Sequence, residues 1–268
     1  MMNIQQYIRA QSLEQAYALN QNRKNRILGG MLWLQMTSLT VPVAIDLGGL
    51  GLDKIEETQE HFSIGAMVTL RQLERHPGLN RYTQGAISKA VRDIVGVQLR
   101  NMATVGGSIF GRFGFSDVLT AFLCLDTYVE LYRGGTVPLE EFCRMPPDRD
   151  ILVRLIVKKR PGRFAYLSMR ASRTDFPILT CAVSRVDWTH RAVIGARPGR
   201  AMVLRDQEGL LASGPDARSA QAFAAYAADR IPTGSNLRGS AAYRRRLVWA
   251  LTQRALLELG GNLDGTSI

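Results

Sequence analysis

The chain has little of what marks several common classes of protein. Its 268 residues include only three cysteines, Cys124, Cys143 and Cys181. They are widely spaced, form no CxxC pair and lie in or beside apolar segments. The expectation is small buried side chains and no iron–sulfur cluster of the chain's own. Histidine is equally scarce: His61, His76 and His190 fit no H-E-x-x-H or other ligand spacing, so no protein-bound metal is expected. No stretch reaches the roughly 18 continuous apolar residues of a membrane span. The N-terminal MMNIQQYIRAQSLEQAYAL has no basic segment followed by an apolar one. It does not read as a signal peptide, and the expected location is the cytoplasm. Acidic residues are also in the minority, 23 against 34 Lys plus Arg, for a net charge of +11. The basic clusters NRKNR (22–26), KKRPGR (158–163) and YRRRL (243–247) form no long tail and accompany no zinc-finger or RNP motif. The surplus reads first as arginine-rich surface, with nucleic-acid binding the weaker reading.

What is present is an ordered α/β texture. Ser12 followed by Gln15 fits a capping box ahead of a helix over LEQAYAL. NRIL then reads as a strand ending in Gly29–Gly30, and VPVAIDL as a second strand before Gly48–Gly49. LDKIEET and HFSIGAMV read as a strand pair. Thr69 caps a helix that Pro77 stops, and Ile87, Val91 and Ile94 share a helical face. Ser116 and Asp117 precede an apolar helix, TYVELYRG alternates as a strand, and PLEEFC opens a helical turn. From DILVRLIVKK onward strands dominate: RFAYLSMRA, FPILTCAVSRVDW and HRAVIGARPGRAMVL predict an antiparallel set. Two helices follow, PDARSAQAFAAYAADR and SAAYRRRLVWALTQRALLELG. The expected organisation is two small α/β lobes followed by a lobe of sheet and helices.

Two segments carry candidate chemistry, and both read as a strand followed by Gly-Gly: ILGGMLWLQM (27–36) and ATVGGSIFG (103–111). Successive backbone amides in such a turn form an anion nest, and the missing Cβ atoms admit a pyrophosphate. Neither is a G-x-G-x-x-G fingerprint or a P-loop, and an isolated Gly-Gly serves more often as a tight turn. Two of them in neighbouring lobes point to a dinucleotide held from both sides. Thr104 and Ser108 would add hydroxyls, and Asp117 would accept from a ribose or a ring N–H or else cap the next helix.

LRNMATVGGSIFG…SDVLTAFLCLDTYVEL resembles the flavin-binding medium subunit of the molybdenum hydroxylases, the xanthine dehydrogenase and carbon monoxide dehydrogenase type. The family form there is close to IRNxATIGGNIxxASPxxDLxPALLALDAxVxL. ILGGMLWLQM stands where that family has xAGGTDLLxxM, and NLRGSAAYRRRLVWALTQRAL matches its DxRGSAxYRRxxxxxLxxRAL. The resemblance implies an α+β fold. Two α/β subdomains of the vanillyl-alcohol-oxidase (PCMH) type, over 1–52 and 53–160, would clasp FAD. A C-terminal domain like that of carbon monoxide dehydrogenase flavoproteins, with antiparallel sheet and helices, would occupy 161–268. It also implies partners: a small subunit with [2Fe–2S] clusters and a large one with molybdopterin. Electrons would pass through the clusters to FAD and on to NAD or another acceptor.

Carried over residue by residue, the first FAD loop falls on Leu28, Gly29, Gly30, Met31, Leu32 and Trp33. The second falls on Thr104, Val105, Gly106, Gly107 and Ser108, with Asp117 on the family's downstream aspartate. Met31 and Leu32 replace the family's Thr or His and then Asp or Ser, Ser108 replaces an Asn, and FGRFGF replaces the Ala-Ser-Pro segment. Trp33, Phe110, Phe113 and Phe115 are candidates for packing on flavin or adenine, and Arg112 or Arg170 for charge near the pyrophosphate or the flavin. These side-chain changes support an alternative, a structural or assembly subunit of the same complex with weak or no FAD binding.

Overall fold

The computed structural model describes residues 2–260. The chain opens with β1 (Asn3–Arg9), α1 (Leu13–Asn20), β2 (Arg26–Leu28), β3 (Thr40–Asp46), β4 (Ile55–Glu57) and β5 (His61–Gly65). Six short helices follow: α2 (Leu70–Arg75), α3 (Pro77–Tyr82), α4 (Ala86–Val91), α5 (Val97–Met102), α6 (Val105–Phe110) and α7 (Asp117–Leu123). Next come β6 (Thr127–Leu131), β7 (Gly135–Pro138), α8 (Leu139–Phe142), β8 (Leu152–Lys158), β9 (Gly162–Arg170), β10 (Pro177–Val186), β11 (Thr189–Gly195) and β12 (Met202–Arg205). The described residues end with α9 (Ala217–Arg230) and α10 (Ala241–Gly260). This is a mixed α+β fold, and among the described residues no helix is long and apolar enough to cross a membrane.

Two compact units form. The first gathers residues 1–73, 96–111 and 127–158, and the second gathers 74–95, 112–126 and 159–268. In the first, β1, β3 and β2 lie parallel in that order, and β4-β5-β8-β6-β7 make an antiparallel sheet. Ile45 and Leu47 from the parallel sheet pack with Ile151 and Val153 at the start of β8, closing one core across both sheets. Ser12 Oγ accepts the Gln15 amide at 3.1 Å, while the Gln15 side chain turns back to the Gln11 amide at 2.8 Å. The helix therefore starts where its caps place it, with the return bond one residue earlier than a standard box.

The second unit is built on the antiparallel sheet β12-β11-β10-β9. α9 and α10 cover one face through Phe223, Ala227, Val248 and Leu251 packed on Cys181, Val183 and Ile194. α4 and α7 pack against the other face. By sequence the first unit has 12 Lys plus Arg against 11 Asp plus Glu, and the second 22 against 12. The surplus seen along the chain is thus almost wholly a property of the second unit.

Two expectations change. The helix over TQGAISKAVRDIVG is confined to Ala86–Val91, because the left-handed Gly85 (φ +79°) delays its start. ATVGGSIFG is not a strand before a turn. It is α6, started by Thr104, whose Oγ1 accepts the Gly107 amide at 3.1 Å. Pro77 both ends the pattern of α2 and opens α3, where its missing N–H costs nothing.

Candidate functional site

A cavity of about 240 Å³ opens in the first unit, running along β2 from Asn25 to Gly29 and reaching Leu47 just after β3. Its walls are Ile27, Leu28, Leu47, Met67, Phe110, Ile151 and Leu152, and its polar rim holds Asn20, Asn25, Arg26, Asp148, Arg149 and Asp150. Gly29, Ala66, Thr104, Gly106 and Gly107 complete the lining, so residues of both glycine pairs line one cavity.

They meet because neither has a Cβ where the other passes. A Cβ on Gly107 would stand 3.2 Å from the Gly29 carbonyl oxygen, and one on Gly29 would stand 3.0 Å from Thr104 Oγ1. Gly30 is the tightest point. Its φ is +81°, and a Cβ there would lie 2.1 Å from the Met102 carbonyl oxygen. Met31 follows in the same left-handed region, at φ +62°. Two consecutive left-handed residues turn the chain sharply after β2. The backbone amides of Gly29, Gly30, Met31 and Leu32 donate to no acceptor among the described residues. Open amides in succession form an anion nest.

The second glycine pair is used differently. The Val105 amide donates to Val68 O at 2.8 Å, Gly106 to Ala66 O at 2.7 Å and Ser108 to Thr104 O at 3.1 Å. With Gly107 bonded to Thr104, every amide from 105 to 108 is spent inside the protein. The Ser108 hydroxyl turns back to the Thr104 carbonyl at 3.0 Å, and Val105 is fully buried. What this segment offers a ligand is a small-residue surface at Gly106 and Gly107 together with the Thr104 hydroxyl.

Trp33 lies half exposed beyond the first turn. Asp117 belongs to the second unit, as the first residue of α7, and Ser116 is the cap, accepting the Leu119 amide at 3.1 Å. Asp117 Oδ1 accepts the Tyr166 hydroxyl at 2.5 Å and is ion-paired with Arg170. Burial pushes this carboxyl above the ordinary range, opposed by Arg170 and the Tyr166 bond, and it pushes the Tyr166 phenol well up. Arg170 is therefore engaged with Asp117, and Arg112 is buried. Phe113 and Phe115 stack at 5.3 Å within the second unit and continue edge-on to Phe176.

Several cavity residues escaped the reading of the sequence. Arg149 Nε donates to Asn20 O at 2.6 Å, and its Nη2 donates to Asn20 Oδ1 and Asn22 O at 2.8 Å and to Asn25 O at 3.2 Å. One guanidinium thus gathers the loop that leads into β2. Burial and the neighbouring Arg26 and Arg23 charges hold its pKa below the ordinary arginine value. Asp150 is the turn residue beneath it, taking the amides of Arg133, Gly134 and Ile151. The signals were NRKNR and DRDILV, polar runs that abut β2 and β8.

A family model described as the FAD binding domain in molybdopterin dehydrogenase matches residues 2–159. The Escherichia coli K12 protein YgfM is 28% identical over 253 residues, covering 92% of this chain and 93% of its own. The nicotine 6-hydroxylase medium subunit of Paenarthrobacter nicotinovorans is 26% identical, covering 87% and 89%. Among solved structures, a carbon monoxide dehydrogenase chain from Hydrogenophaga pseudoflava superposes with a TM-score of 0.83 at 22% identity, covering 96% of this chain and 97% of that one. That likeness concerns the fold. The family match spans more than half of the sequence and coincides with the cavity and both glycine segments, so the chain belongs to the FAD-binding domain family of the molybdopterin dehydrogenases.

Proposed function

We propose that this chain is the FAD-binding, electron-transferring medium subunit of a molybdenum-dependent hydroxylase or dehydrogenase. The observation that carries the reading is the nest of four open amides at Gly29–Leu32 beside an apolar-walled cavity. The residues fit a dinucleotide. Open amides suit a pyrophosphate, and the walls from Ile27, Leu28, Ile151 and Leu152 suit a flat ring system. The cavity is smaller than the roughly 300–1,000 Å³ of drug-sized pockets, which matches one end of such a molecule.

FAD, when bound, supplies the redox chemistry, taking electrons from an iron–sulfur centre and releasing them to NAD⁺ or another acceptor. This chain's residues orient it. Gly29, Gly30, Met31 and Leu32 present amides, Leu28 an apolar wall, Thr104 its hydroxyl, and Gly106 and Gly107 a close approach of backbone. The partners in this reading are a small [2Fe–2S] subunit and a large molybdopterin subunit. The medium-subunit name of the nicotine 6-hydroxylase relative supports that division of labour.

A second reading, a structural or assembly subunit that binds FAD weakly, is favoured by the spent amides of 105–108 and the apolar Met31 and Leu32. The visible spectrum of the full chain after addition of FAD and removal of excess separates the two. Retained flavin absorbance is expected. A colourless protein, both alone and co-expressed with the partner subunits, would overturn the first reading in favour of the second.

A further inference from the structure

Three arginines, Arg23, Arg26 and Arg149, crowd one rim of the cavity, and two of them, Arg26 and Arg149, line it. None has a carboxylate partner among the described residues. Their known bonds go to neutral acceptors: Arg26 Nη1 donates to Arg23 O at 2.5 Å and Asn25 O at 2.8 Å, and Arg149 donates to the carbonyls and amide oxygen of Asn20, Asn22 and Asn25. The acids on the same rim, Asp148 and Asp150, form no ion pair with these arginines among the described residues and accept backbone amides instead. Asp150 takes three backbone amides, and Asp148 Oδ1 takes the Asp150 amide at 3.1 Å. This concentration of like charge stands in a unit whose ionic balance is 12 against 11.

Like charges gathered on one rim without an ion-pair partner repel, and a bound anion relieves that repulsion. Arginine suits this role because its guanidinium presents several donors in a planar fork to phosphate oxygens. The bonds above leave Arg26 Nε and Nη2 and Arg149 Nη1 without a protein acceptor among the described residues. Meanwhile the turn after β2 carries Met31 and Leu32 where polar side chains could have assisted the nest, and the amides of 105–108 are spent.

We infer that Arg26 and Arg149, flanked by Arg23, form a cationic arm that binds the diphosphate of the nucleotide held in this cavity. They supply the charge that the side chains of the glycine turns do not. The inference rests on the dinucleotide reading of the cavity, and it assigns a role to the NRKNR cluster that composition alone leaves as surface. Arg149 is also a positioning residue, since it ties the loop 20–25. Arg26 is the cleaner probe.

The test is a titration of the full chain with FAD, followed by flavin fluorescence, and with ADP and adenosine as competitors or direct ligands. Arg26→Ala is expected to weaken FAD and ADP by about 10- to 100-fold, the loss of charge-assisted bonds, and to leave adenosine unchanged. The affinity of FAD should also depend less steeply on salt in the variant. Arg149→Lys, which keeps charge, should retain more affinity than Arg149→Gln, and Arg81→Ala, on the other unit, should match the wild type. FAD and ADP affinities within twofold of wild type in Arg26→Ala would overturn the inference, as would equal weakening of all three ligands. Binding of ADP but not FAD by the wild type, with ADP weakened in Arg26→Ala, would sink the flavin reading and leave the cationic arm standing. Failure of the wild type to bind either removes both.

Discussion

Gly29–Gly30 and Gly106–Gly107 lie in one unit and pack on one another, yet they use the missing Cβ in different ways. The first pair needs glycine for backbone conformation as well as space, because Gly30 is left-handed and pressed on the Met102 carbonyl. Its reward is a run of open amides. The second pair lies in a helix with ordinary dihedrals, and its glycines are there for close approach to Ala66 and Gly29. In a pair of glycine turns, the amides and not the glycines decide which one can hold an anion.

Substitutions can break that comparison. The largest effect is expected from Gly30→Ala. A left-handed alanine costs about 1–2 kcal/mol, and relieving a 2.1 Å overlap with backbone costs about 1–3 kcal/mol more. Urea unfolding should show this loss together with a marked fall in FAD affinity. A variant of native stability would mean that the turn is not locked as described. Thr104→Val should cost about 1 kcal/mol through loss of the helix cap, read by the same unfolding curve. Gly107→Ala should cost clearly less stability than Gly30→Ala. Its Cβ meets the Gly29 carbonyl oxygen and Thr104 Oγ1 at 3.2 Å, contacts that must give by a few tenths of an ångström, and the gain in helix propensity of up to about 1 kcal/mol offsets part of that strain. A loss as large as that of Gly30→Ala would show that the two turns are equally constrained.

Much of the fold was legible because local signals and tertiary demands agree. Ser12, Thr69 and Ser116 each cap the helix they precede, and the central strand of the last sheet reads as a nearly continuous apolar run because helices cover both of its faces. The second glycine segment misled because two adjacent glycines weaken any helical reading. It took the Thr104 cap and the Ala66 carbonyl to hold α6 in place. Among the residues lining the cavity, Gly29, Gly106 and Gly107 stand in a readable motif and Arg149 does not. It reaches loop 20–25 across about 125 residues of chain, and no periodicity or motif encodes a contact formed by tertiary folding. Asp117 was read as a ligand or a cap. Its ties to Tyr166 and Arg170 come from a strand about 50 residues away, equally invisible to spacing.

The three cysteines have a practical consequence. All are buried, and desolvation pushes the thiols of Cys124 and Cys181 up to about 12, so the thiolate needed for alkylation is scarce while the protein is folded. Cys143 lies in the first unit and the other two in the second. Each unit therefore carries its own chemical clock: mass-resolved thiol labelling would time the opening of the cavity-bearing unit separately from that of the arginine-rich one, without any engineered probe.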